Sequence, residues 1–189
     1  MKKSLLFVSL IVFSLLISSC GAKEISIEEL VLQIDKEETY ESSPASLAIV
    51  YGSIEEIESD ADLIVKCSLN EQKIVSLDGF PQTHSYVTVE DVYKGDISVG
   101  SLIEIIEEGG YNGKVLAGIP LISNTNNYFL MLKEYKNAYY ICGAFQGRFI
   151  EREGYVFQQA TADVKLADTY SPLTTEAFSM KLQNNLVEE

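Results

Sequence analysis

The side chains able to do covalent or acid–base chemistry are few. The chain has one histidine, His84, set in Gln82-Thr83-His84-Ser85-Tyr86, and three cysteines, Cys20, Cys67 and Cys142. A nucleophile needs a positioned base, so the candidate dyads are Cys67–His84 and Cys142–His84, which carry the alternative of a surface thiol-redox factor or hydrolase. Cys67 and Cys142 also lie inside apolar strand-like runs, where a free cysteine packs as a small hydrophobe, and His84 suits an exposed position at the start of a strand. No Gly-x-Ser-x-Gly elbow is present. One histidine with two dispersed cysteines is a poor zinc inventory, and Asp60-Ala61-Asp62 lacks the other positions of a calcium loop. Gly109-Gly110-Tyr111-Asn112-Gly113-Lys114 sits between strands and reads as a turn, not as the strand–loop–helix of a phosphate cradle. Paired carboxylates would suit glycoside chemistry, but 28 acidic residues and no tryptophan neither exclude nor predict it. No catalytic residue, metal or cofactor is assigned.

The residues better suited to binding are aromatic. Tyr128, Tyr135, Tyr139 and Tyr140 form a strip with Phe145 and Phe149 beyond it, and the long stretch from Gly109 to Asn127 adjoins it. Long loops in compact domains tend to be functional or mobile. Tyr111, Tyr128, Tyr139 and Tyr140 are therefore the candidate binding residues, with filling or rimming of a core as the competing use of the same rings.

Cys20 stands apart because of what precedes it. Lys2 and Lys3 are followed by thirteen residues, Leu5 to Ile17, broken only by two serines. That length fits the roughly 7–15-residue apolar region of a signal peptide and falls short of the about 20 residues of a spanning helix. The segment ends in Ile17-Ser18-Ser19-Cys20, which resembles the lipobox of bacterial lipoproteins at all four positions. The resemblance implies cleavage between Ser19 and Cys20, a diacylglycerol thioether on Cys20, and a protein held by its acyl chains on the extracellular face of the membrane. Acyl anchoring contributes about 0.8 kcal/mol per buried methylene. Outside the cytoplasm a disulfide between Cys67 and Cys142 is chemically permitted, and sequence does not report whether their Cα atoms lie within bridging distance.

Loss of Lys2 and Lys3 with the leader leaves twelve basic against 28 acidic residues and moves the formal net charge from −14 to −16. Such a surface repels nucleic-acid phosphates and anionic head groups, and the two arginines, Arg148 and Arg152, form no basic stripe. Nucleic-acid binding is excluded. The roughly 170 residues after the leader suffice for one domain.

The elements follow from capping and period. Ser26-Ile27-Glu28-Glu29 offers a capping box, with Ile27, Leu30, Val31 and Ile34 at helical spacing, before a polar linker from Glu37 to Pro44. Residues 1–19 thus read as the leader, 20–45 as a tether with a short acidic helix, and 46–189 as the domain. A second box, Ser53-Ile54-Glu55-Glu56, starts a helix ending near Asp60. Leu63, Val65, Cys67 and Leu69 then alternate as a strand, followed by strands over residues 83–93, 102–107, 128–132 and 138–145. A hairpin pairs Arg148-Phe149-Ile150 with Tyr155-Val156-Phe157 around Glu153-Gly154. Ser171-Pro172 begins a closing helix, with Phe178, Leu182 and Leu186 every four residues. Several short strands at near-regular spacing predict a mainly β, α+β domain: a closed or nearly closed antiparallel β-barrel with a short helix before it and a C-terminal helix.

Residues Ser53 to Ile64, Tyr86 to Gly95, Glu107 to Gly110, Gly118 to Leu132 and Gln146 to Phe149 together resemble a set of small surface lipoproteins of Gram-positive bacteria to which no activity is attached. The strand ending in Tyr93-Lys94-Gly95 is similar, at fold level, to the netrin and metalloproteinase-inhibitor version of the OB barrel. That similarity implies an OB-like barrel and not protease inhibition, since Cys20 would be blocked by lipid. The resulting expectation is a non-enzymatic, lipid-anchored binding or accessory module whose partners are the bilayer, through Cys20, and a protein, peptide or small-molecule ligand.

Overall fold

The computed structural model describes residues 26–27, 42–43, 49–77, 80–110, 115–116, 119–160, 165–166, 169 and 171–185. The leader, Cys20, the body of the expected Ile27–Ile34 helix, most of the linker, Tyr111 and Leu186 lie outside the described residues. The chain divides into two units, residues 1–36 and 37–189, and the architecture below belongs to the second.

Its elements in chain order are β1 (Ser42–Ser43), α1 (Ile54–Asp60), β2 (Leu63–Leu77), β3 (Phe80–Lys94), β4 (Leu102–Glu108), β5 (Val115–Leu116), β6 (Asn127–Tyr135), β7 (Ala138–Ile141), β8 (Arg148–Arg152), β9 (Tyr155–Gln158), β10 (Leu173–Thr174) and α2 (Thr175–Asn185). The unit is mainly β, with a helix before the sheet and one at its C-terminal end, as expected. Helix α1 starts where the sequence places it: Ser53 Oγ accepts from Glu56 N at 3.2 Å. The reciprocal half of the box closes one residue early, with Glu56 Oε2 accepting from Gly52 N at 2.7 Å.

Strands β2, β3 and β4 form an antiparallel meander. β4 runs parallel to β7 through Ile105↔Tyr139, β7 pairs antiparallel with β6, and β6 returns antiparallel to β2, so the pairings close a five-stranded ring. One edge of β6 serves two partners: Asn127 to Leu130 pair with β8, and Leu132 to Tyr135 pair with β7. β9 and β10 extend the sheet beyond β8, while β1 and β5 form a separate two-residue parallel ladder.

Directly paired residues point to the same side of a sheet, so the registers define two faces. Leu63, Val65 and Cys67 pair with Leu132, Leu130 and Tyr128, and Val87, Ser85 and Thr83 pair with Ile103, Ile105 and Glu107. These residues are buried and fill the inner face. On the outer face, Ile64, Phe129, Met131 and Phe149 pack with Ile54 and Ile57 of α1 and with Phe178 and Leu182 of α2. Phe178 lies edge-on to Phe129 at 5.1 Å and tilted against Phe149 at 5.0 Å.

Three boundaries differ from the sequence reading. Helix α2 begins at Thr175, not after Pro172, because Leu173 and Thr174 pair with β9 and Thr174 Oγ1 then caps Ala177 N at 3.2 Å. The strand expected over 138–145 stops at Ile141, where Gly143 and Ala144 take left-handed φ of 60° and 61° and turn the chain towards β8. The strands expected to span 63–69 and 83–93 run on to Leu77 and back from Phe80, as an arm beyond the point where β6 stops pairing at Ser68↔Asn127.

Candidate functional site

The outer face of β3 and β4 gathers the polar and aromatic side chains that the ring displays. Strand alternation puts His84 and Tyr86 on the side opposite Thr83, Ser85 and Val87, and the register sets Tyr86 beside Glu104. His84 Nδ1 and Tyr86 Oη both meet Glu104 Oε1, at 2.7 and 2.8 Å. This fixes the imidazole and leaves Nε2 as its second polar atom. Lys73, paired with His84 across the β2–β3 ladder, lies over the Tyr86 ring at 4.9 Å and bonds Glu71 at 3.2 Å. On β7, Tyr139 is the inward partner of Ile105, so the next outward residue is Tyr140. Its ring packs edge-on to Tyr135 at 6.3 Å, and Lys136 covers Tyr135 at 4.9 Å. Tyr135, at 59 % exposure, and Leu102, at 56 %, leave apolar area open to solvent.

Hydrogen bonds from His84 first and Tyr86 second hold the Glu104 carboxyl below the ordinary carboxylate range. A carboxylate with a depressed folded pKa contributes stability that is present above its unfolded value and lost as pH falls through the folded value. Glu104 is part exposed, so solvent screening keeps this under about 1 kcal/mol. Glu104→Gln is expected to lower the urea midpoint at neutral pH and to weaken the fall in midpoint between about pH 5 and pH 3. An acid limb identical to that of the parent would remove the assignment.

A second polar cluster is built around a buried ion pair. Arg148 Nη1 meets Glu107 Oε1 at 2.7 Å, with both side chains buried. Ser85 Oγ donates to Glu107 Oε2 at 3.1 Å, and Ile122 N approaches both carboxylate oxygens at 3.4 and 3.3 Å. Gln72 Nε2 spans Ser85 Oγ and the Ile122 carbonyl, at 2.8 Å each. Burial pushes the Glu107 carboxyl above the usual range, with Arg148 opposing the push. The described part of the long loop is anchored here: Ile119 and Ile122 are buried, and Ser123 N donates to Tyr128 Oη at 2.9 Å.

A third cluster ties α1 to the turn after β7. Tyr51 N and O clasp the Gln146 amide at 2.8 and 3.0 Å. The Tyr51 hydroxyl donates to Asp60, and Lys133 Nζ pairs with Asp60 at 3.1 Å and Asp62 at 3.2 Å. Burial first, then the hydrogen bond to Asp60, pushes the Tyr51 pKa up.

The structure separates the residues singled out from sequence. Tyr128, 1 % exposed, is an inner-face residue with its hydroxyl held by Ser123. Tyr139 sits half-buried on the inward side of β7, while Tyr140 reaches the outer face. Cys67 and Cys142 are both free and buried. Cys67 lies on the inner face between Val89 and Tyr128, and Cys142 belongs to the outer core. The disulfide that sequence left open is not formed. His84 lies on the outer face of β3, with the strand between it and the inward-facing Cys67. Burial raises the Cys67 thiol pKa and pushes that of Cys142 up to about 12. Tyr86, Glu104 and Lys73 were missed by sequence reasoning. Alternation from Val87 and Val89 turns Tyr86 outward, but only the β3–β4 register brings it to Glu104. Set against known protein families, curated proteins and solved structures, the chain matches none of them.

Proposed function

We propose that this chain is a lipoprotein tethered by Cys20 to the outer surface of the cell membrane, and that its ring is an OB-like β-barrel serving as a non-enzymatic binding module. The barrel reading is supported by connectivity: a three-stranded meander, a parallel pairing of third strand with fifth, and a return of the fourth to the first. OB barrels bind chain-like ligands on the face of their second and third strands and the adjoining loops. Here that face is β3 and β4, flanked by the β6–β7 hairpin.

The observation that carries the reading is the pairing of charge on this face. Glu71 holds Lys73, and Asp60 and Asp62 hold Lys133, while His84 is hydrogen-bonded to Glu104; the Tyr140 ring and the faces of Tyr86 and Tyr135 not covered by Lys73 and Lys136 make up the contact surface. An anionic ligand would have to break these pairs to reach Lys73 or Lys133. An uncharged, hydroxyl-rich chain such as a neutral saccharide would stack its C–H faces on the tyrosines and exchange hydrogen bonds with Glu104 and His84. Against a thiol-redox or hydrolytic role stand two buried thiols with raised pKa values, since the thiolate is the reactive form.

The chain has no tryptophan and eleven tyrosines, so its emission is tyrosine emission, to which Tyr86, Tyr135 and Tyr140 of the face contribute. Titration with uncharged oligosaccharides is expected to change tyrosine emission saturably and with little salt dependence, and Tyr86→Ser with Tyr140→Ser is expected to abolish the change. No saturable change with neutral oligosaccharides would overturn the ligand class. Recovery of the wild-type chain in the aqueous phase of a detergent partition, indistinguishable from Cys20→Ser, would overturn the anchoring.

A further inference from the structure

The arm formed by the distal halves of β2 and β3 presents a strand edge without a partner among the described residues. β2 pairs with β6 no further than Ser68↔Asn127, and from Glu71 to Leu77 it pairs only with β3. A register shift between Leu69 and Glu71 separates this segment from the ring wall. Residues 71–76 are all exposed, with Ile74 at 56 % and Val75 at 40 %. An edge of this kind is a template for another strand, and proteins normally guard it with lysines, proline or inward-pointing charge. The guards are weak here: the single proline of the arm, Pro81, is on the partner strand, and Lys73 is bonded to Glu71 and laid over Tyr86.

We propose that this edge pairs antiparallel with the same edge of a second copy of the chain, about a two-fold axis at Ile74. The segment is self-complementary in that register. Ile74 meets its own mate, Gln72 meets Ser76, and Lys73 meets Val75 of the other copy. Ile74 and Gln72 lie on one side of the arm and Lys73 and Val75 on the other, so each exposed apolar residue gains a cross-strand neighbour on its own side. The contact is isologous and closes at two copies. It also makes the two tyrosine faces coplanar on one continuous sheet, where a long ligand would engage both. Seven residues per edge is a small interface, so the dimer is concentration-dependent in solution.

The test is cysteine cross-linking in the full-length chain carrying Cys20→Ser, where Cys67 and Cys142 are buried and leave the introduced thiol as the exposed one. In the proposed register residue 74 faces itself, whereas Glu71 lies six residues, about 20 Å, from its own mate. Ile74→Cys is expected to form a disulfide-linked dimer at least about tenfold faster than Glu71→Cys. Independently, Ile74→Lys sets like charges opposite each other at the axis, and is expected to weaken the dimer measured by sedimentation equilibrium at least about tenfold. Equal cross-linking at residues 71 and 74, or a parent chain that stays monomeric at high concentration, would overturn the proposal. The second outcome would leave the edge to an extended segment of a different protein.

Discussion

Arg148→Met is expected to cost the domain about 3–5 kcal/mol at neutral pH and to regain most of that loss on acidification. The substitution keeps an unbranched apolar stem in the ring and removes the charge that faces Glu107 at 2.7 Å. Ser85 and Ile122 N would still donate to the carboxylate, but neither carries a charge. Burial already pushes the Glu107 carboxyl upward against Arg148, so without Arg148 its folded pKa rises further. A carboxyl whose folded pKa exceeds the unfolded one contributes stability that is present below the unfolded pKa and is lost as pH rises through the folded pKa. The variant should therefore lose stability as pH rises above the ordinary carboxylate range, approaching about 1.4 kcal/mol per pH unit at the steepest, and over a wider range than the parent, in which Arg148 opposes the rise of Glu107. Glu107→Leu combined with Arg148→Met removes both charges of the pair and should fall near the parent or above it. Urea unfolding of both variants across this range decides the matter. A loss in Arg148→Met that does not vary with pH would mean that Arg148 acts through packing alone.

That pair also shows where sequence reading stops. Helix α1, the start of β2, β4 and the β8–β9 hairpin were legible, because each carries a local signal: the Ser53 cap, the alternation of Leu63, Val65 and Cys67, and the Glu153-Gly154 turn. Alternation continued from Ile103 and Ile105 also points Glu107 inward, a signal that a charged residue disguises. Its partner Arg148 was invisible, since it reaches Glu107 only once β6 has been shared between β7 and β8. Ring closure rests on Ile105↔Tyr139, a parallel pairing far apart in sequence, and no periodicity encodes it. The arm escaped for the opposite reason. Asn70 to Ser76 bury neither face, so no alternation marks them as strand, and the register shift at Leu69/Glu71 breaks the period that led up to them. The left-handed Ala144 after β7 carries no signal either, because alanine is not a residue that announces positive φ.

The C-terminal helix was legible in kind, and its attachment suggests the second large effect. α2 reads TEAFSMKLQNN, and Phe178 and Leu182 are the side chains by which it joins the outer core. Phe178 touches both Phe129 of β6 and Phe149 of β8, with Tyr93 reaching the same helix through Ser179 at 2.9 Å. Phe178→Ala should cost about 3–5 kcal/mol from lost burial and the cavity left behind, a large share of the roughly 5–15 kcal/mol that holds a domain together. At about 2–4 °C per kcal/mol for a chain of this size, the melting temperature should fall by roughly 10 °C. Met180→Ala, two residues on and 49 % exposed, keeps the helix sequence otherwise intact and should move stability by under about 0.5 kcal/mol. Adding Leu182→Ala to Phe178→Ala should cost less than the sum of the single losses, because once Phe178 is gone the helix has little left to hold it and Leu182 is already partly released. Amide exchange would show this directly: in Phe178→Ala the α2 amides should open at much lower free energy than those of β6, whereas in the parent the two should be closer. If α2 amides stay as protected in Phe178→Ala as in Met180→Ala, the helix is held by its β10 pairing and the Thr175–Glu151 hydrogen bond at 2.8 Å, and the aromatic contact is dispensable.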